Sequence, residues 1–99
     1  MEKFLLILRL MTEREFRILK DLFYFEPDCA KFIARRLRLD LKEVMDGLKF
    51  LENLGILVRV SQTFVKKGGK IKHRNHTYYE INSEWRKFLK KSLFKKERV

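Results

Sequence analysis

The sequence predicts an α+β domain in which three short helices, a β-hairpin and a last helix follow one another along the chain. Three observations carry this. Two capping boxes, Thr12 with Glu15 and Asp40 with Glu43, each open a stretch whose apolar residues recur at helical spacing. A Gly68-Gly69 pair sits between two runs rich in β-branched and aromatic residues, which is a hairpin signal. The hairpin itself reads FVKKGGKIKHRN from Phe64 to Asn75 and holds Lys66, Lys67, Lys70, Lys72 and Arg74 with no acid among them.

Taken in order, Phe4 to Met11 is apolar without a clear period and fits a short helix or a strand. A first core helix is expected over residues 13–25, with Phe16, Leu19 and Phe23 on one face and Leu22 beside them. It stops by Glu26, because Pro27 disfavours the helical conformation just before it. A second helix over 28–38 opens with Pro27-Asp28, a proline in the first turn and an acid at the positive end of the dipole. Ala30, Ile33, Ala34 and Leu37 form its stripe, and Lys31, Arg35, Arg36 and Arg38 lie off it.

The tight turn Arg38-Leu39-Asp40 leads to a third helix over 41–54 that buries Leu41, Val44, Leu48 and Leu51. Gly47 shares that inward face, where its missing side chain relieves a crossing helix at a propensity cost of about 1 kcal/mol. Gly55 ends the helix as a left-handed C-cap. Ile56 to Lys66 then alternates as a strand, with Val58, Val60 and Phe64 on one side, and Thr77, Tyr79 and Ile81 alternate on the return. Ser83 caps a last helix over 84–96. Trp85, Phe88, Leu89 and Ser92 share one of its faces, and Arg86, Lys87, Lys90, Lys91 and Lys95 share the other.

Ninety-nine residues make one domain with a modest core, and an apolar fraction of 45% excludes a disordered basic tail. A formal charge of +11 favours a polyanionic partner: nucleic acid, an anionic membrane face or an acidic protein. Cys29 is the one cysteine, so no internal disulfide forms; an intracellular home and a buried, unreactive thiol are expected. The opening MEKFLLILRLM is interrupted by Arg9 and lacks a small-residue cleavage site, and no stretch is long enough to span a bilayer, so a cytoplasmic protein is expected. His73 and His76 have H-x-x-H spacing without cysteines or a carboxylate cluster to complete a metal site. Nothing pairs a nucleophile with a base and an orienting acid. No metal, no cofactor and no enzymatic activity are expected.

The run LKEVMDGLKFLENLGILVRV, followed by the basic hairpin and TYYEINSEW, resembles the core of winged helix-turn-helix transcription regulators of the MarR and ArsR type. Leu48, Leu51 and Gly55 match the end of their recognition helix, Ile56 and Leu57 the apolar pair that opens the wing, and Tyr79 and Ile81 the end of the return strand. The small size also resembles compact regulators of archaea and their viruses. The resemblance covers roughly residues 12–82 and leaves 1–11 and 83–99 as dimerisation or packing extensions. It implies a three-helix core with a β-hairpin wing, and double-stranded DNA as partner.

Where such families present Ser, Thr, Arg or Asn to base edges, this chain has Lys42, Met45, Asp46 and Lys49. The DNA-contact candidates are those four, together with Lys31, Arg35, Arg36 and Arg38 of the second helix and Lys66, Lys67, Lys70, Lys72, His73 and Arg74 of the wing. Because the third helix carries Glu43, Asp46 and Glu52 against Lys42 and Lys49, phosphate contacts and the wing are expected to dominate affinity. Tyr78, opposite in direction to Tyr79, is expected on the wing's outer face or packed in the sheet. Phe4, Leu5 and Leu8 are expected to meet Trp85, Phe88, Leu89 and Leu93 across a homodimer axis or, alternatively, within one chain. The competing functions are a protein-docking module of transcription or replication machinery, with the third helix as contact face, and an RNA-binding protein.

Overall fold

The computed structural model describes residues 2–60 and 77–94, together with the backbone of 66–67 and 70–71. The elements in order are α1 (Glu2–Leu8), α2 (Glu13–Phe25), β1 (Asp28–Cys29), α3 (Ala30–Leu37), α4 (Leu41–Asn53), β2 (Leu57–Arg59), β3 (Lys66–Lys67), β4 (Lys70–Ile71), β5 (Tyr78–Ile81) and α5 (Ser83–Ser92). The architecture is α+β. A helical layer packs on a three-stranded antiparallel sheet of order β1-β5-β2, and β3 and β4 pair antiparallel as a separate ribbon, Lys66 opposite Ile71 and Lys67 opposite Lys70.

Local chemistry sets the helix ends. The Thr12 amide and hydroxyl both donate to the Glu15 carboxylate, at 2.7 and 2.6 Å, and the Asp40 amide donates to Glu43 at 3.4 Å. At the far end of α4, Gly55 takes the left-handed conformation with φ +82°. Its amide donates to Glu52 and that of Ile56 to Leu51, which satisfies two carbonyls that the helix leaves open. Side chains of α2, α4 and α5 then fill the centre, with Ile18, Leu19, Leu22, Leu48, Leu51 and Leu89 at most 1% exposed. Gly47 faces α2 at close range: a Cβ there would lie 2.5 Å from Ile18 Cδ1. Ile18 lies outside the Phe16–Leu19–Phe23 stripe read from the sequence, yet it is fully buried.

Several expectations are corrected. The second helix starts at Ala30, two residues late, because Asp28 and Cys29 form a short strand against Tyr79 and Tyr78. There the Asp28 carboxylate accepts from the Cys29 amide at 2.8 Å. Tyr78 is consequently buried, covered by the added edge strand and hydrogen-bonded to Cys29; burial above all pushes its hydroxyl pKa up. Leu41, in the first turn of α4, is 48% exposed and lines a surface groove. Val58 points outward because Leu57 is the inward residue of β2, and successive strand residues alternate. Val60 is half-buried, and Phe64 lies outside the described residues. Asn82, not Ser83, caps α5 by accepting from the Glu84 amide at 2.8 Å. That helix ends at Ser92, whose side chain is exposed.

The apolar run at the N-terminus forms α1, and it meets α5 within the one chain. The Phe4 ring stands 4.7 Å from Trp85 and 4.8 Å from Phe88, centre to centre. Trp85, Phe88 and Leu89 are buried and Leu8 half-buried, whereas Leu5, Leu6, Leu10 and Leu93 remain exposed.

Polar side chains pin the layers together. Arg36 of α3 donates to both Asp21 oxygens on α2 and, at 2.5 Å, to Asp28 on β1; it also lies 4.4 Å from the Phe25 ring centre. Arg17 donates to the Leu37 carbonyl at 2.9 Å, closing the end of α3. Glu26 joins α2 to β5 and α5 by accepting from the Ile81 amide at 2.7 Å and from Arg86.

Two stability measurements follow. Asp21 and Asp28 are both buried, so Arg36→Ala strands two carboxylates and should cost about 3 kcal/mol in urea denaturation at neutral pH. Burial pushes the Glu15 carboxyl up, but Thr12 and Arg14 pull it further down, so in the folded chain it titrates below its ordinary 4.5. A lowered acid stabilises the fold above its unfolded value, and that gain is lost as pH falls through the folded one. The gap in urea midpoint between the parent and Glu15→Gln should therefore be largest at neutral pH and close below pH 4.5.

Candidate nucleic-acid interface

The α3-turn-α4 unit is closed by a residue that adopts an uncommon conformation. Arg38 takes φ 59° and ψ 46°, the left-handed region, and the Leu39 amide then donates to the Ala34 carbonyl at 3.1 Å. Lys31, Arg35 and Arg38 follow one another at i, i+4 and i+7, and all three are exposed. Arg36 is separate: its guanidinium is held by Asp21 and Asp28, so it serves the fold.

On α4 the inward positions of Val44, Gly47, Leu48 and Leu51 turn Lys42, Met45, Asp46 and Lys49 to solvent, all four exposed. Two of the three acids on this helix have cationic partners, and the third, Glu43, is engaged with the Asp40 amide. Asp46 accepts from Lys42 at 3.1 Å, and Glu52 accepts from Arg59 of β2 at 2.8 Å. The hydrogen bond from Arg59 to Glu52 is the first reason its guanidinium is shifted still further up. Such exposed pairs add little to stability, but they cancel the negative charge that phosphates would meet. Lys31 and Lys49 have no ion-pair partner among the described residues. A groove of about 470 Å³ collects these elements, with Lys31, Met45, Lys49, Arg59 and Tyr79 on its walls. Cations from α3, α4 and the sheet thus border one concavity.

The sequence matches, over residues 8–92, the model of a family described as "Uncharacterized protein conserved in archaea (DUF2250)". The chain belongs to the DUF2250 family. No curated protein matches it. Among solved structures it is similar to a mutant of Lactococcus lactis ZitR, with a TM-score of 0.64 and 16% identity over 82% of this chain and 49% of that one. The DUF2250 chain thus spans about half the length of that protein. At this identity the likeness establishes the fold alone, a winged helix-turn-helix.

In this DUF2250 chain Lys66, Lys67 and Lys70 fall on the antiparallel β3–β4 ribbon, and Gly68-Gly69 between the two strands lies outside the described residues. The side chains of those lysines, and Lys72, His73, Arg74 and His76 altogether, lie outside the described residues. Among the described residues no three potential metal ligands cluster, and no helix is long and apolar enough to cross a membrane. Sequence reasoning missed Arg59 and the exposed Leu41. Arg59 carried one readable signal, since Glu52 and Arg59 flank the Leu54-Gly55 turn and the chain doubles back between them. A second cationic patch, Lys87, Lys90 and Lys91, lies on α5 beside an open groove floored by Phe4 and Phe88.

Proposed function

We propose that the chain is a transcription regulator that binds double-stranded DNA, with α4 in the major groove and the β3–β4 ribbon along the adjacent backbone or minor groove. The observation that carries this reading is the shared groove. Lys31 of α3 and Lys49 of α4, neither ion-paired among the described residues, border it together, while its acids Asp46 and Glu52 are held by Lys42 and Arg59. A convergent positive field of this kind suits a phosphate backbone. Arg38 supports it further. Its left-handed backbone costs about 1 kcal/mol that glycine would not incur, so this chain carries a cation at the turn against the local conformational preference. The exposed Leu5, Leu6, Leu10 and Leu93 supply apolar surface for a symmetric partner copy, which would set two half-sites about one helical turn apart.

A second reading, a protein-docking module, draws on the exposed apolar Leu41 and Met45 of α4. Titration of a labelled duplex at several salt concentrations separates the two. Under the regulator reading, Lys31→Ala and Lys49→Ala each weaken binding to all duplexes and lower the salt slope by about 0.9 per lost phosphate contact. The triple change of Lys67, Lys70 and Lys72 to alanine does so more strongly. Asp46→Asn, which frees Lys42, should tighten binding. An affinity and slope indifferent to all of these would remove DNA from the account.

A further inference from the structure

We infer that Leu41 and Met45 are the residues with which α4 selects thymine, by packing on its C5-methyl group in the major groove. The inference rests on the DNA-binding reading above and adds what is read. Leu41 and Met45 are 48% and 54% exposed, and they stand one turn apart on the outward side of α4, where both line the same groove.

The polar alternatives on that helix are few. From Leu41 to Lys49 there is no Asn, Gln, Arg, Ser or Thr to make bidentate contacts with a base edge. Glu43 is engaged with the Asp40 amide, and Lys42 and Asp46 bond one another. Lys49 alone among these polar side chains is without a bonded partner among the described residues, and it can serve a guanine edge or a phosphate. Two large apolar side chains therefore dominate the part of α4 that would face the bases. Thymine is the one base that offers an apolar group in the major groove. The cations beside them, Lys31 and Lys49, favour a polyanion over an apolar protein surface as the occupant.

The test is selection from two pools of random duplex, one built with thymine and one with uracil in its place, a change that removes only the methyl groups. The full-length chain and Met45→Gln are compared; Met45 is exposed, and an unchanged urea midpoint verifies that the variant folds. The parent should enrich a motif with thymine at fixed positions in the first pool and lose that preference in the second. The selected duplex should bind about fourfold more weakly for each contacted thymine replaced by uracil, the value for burying one methylene-sized group. Met45→Gln should bind the two versions with more nearly equal affinity. A motif that survives the uracil exchange, or flat enrichment in both pools, overturns thymine readout while leaving DNA binding intact. No retention in either pool overturns both.

Discussion

The attitude of the helix-turn-helix depends on Arg36. One guanidinium on α3 holds a carboxylate of α2 and another of β1, with the Phe25 ring against its face. Burying Asp21 and Asp28 without a partner would cost several kcal/mol, so the three elements can close only in the arrangement that brings all three charges together. Such a cluster adds less to net stability than its distances suggest, because desolvation offsets the attraction. Its effect is to fix geometry. With α3 locked against α2 and the edge strand, the Lys31–Arg35–Arg38 stripe faces outward, and α4 follows through a three-residue turn.

The second constraint is steric. Gly47 lets α2 and α4 approach so closely that an added methyl group would force the Ile18 tip to move, which favours the roll of α4 that turns Gly47 inward. That roll decides which side chains are outside: Lys42, Met45, Asp46 and Lys49 rather than Val44 and Leu48. Acids on an outward helix face appear unsuited to DNA until their partners are seen. Lys42 cancels Asp46 and Arg59 cancels Glu52, so beside the groove the local field is set by Lys31 and Lys49. Among the described residues, exposed cations stand both on this face and on α5, and it is the placement of each cation, beyond the total charge of +11, that defines an interface.

What could be read from the sequence was what neighbouring residues determine. The two capping boxes, the left-handed Gly55 and the inward Gly47 depend on residues within one or two turns, and each stands where periodicity placed it. The misread features depend on distant residues. Asp28 and Cys29 looked like a helix start because proline and an acid suit one, but pairing with Tyr79 and Tyr78, fifty residues on, outweighed that local preference. Arg36 was indistinguishable from Arg35 and Arg38 in a basic run, since nothing local marks the one with buried acids opposite. For Tyr78 the sequence left an outer-face position and sheet packing both open, because the pairing of β1 that decides for burial was not foreseen, and Asn82 displaced Ser83 as cap by a single residue.

The account stands or falls on whether one face of the molecule, and not its total charge, meets the duplex. Amine-reactive footprinting of the lysines, with and without bound DNA, measures this directly. Protection of Lys31 and Lys49, with Lys87, Lys90 and Lys91 still reactive, is the predicted result. Protection centred on the α5 lysines, or equal protection on both faces, would contradict it.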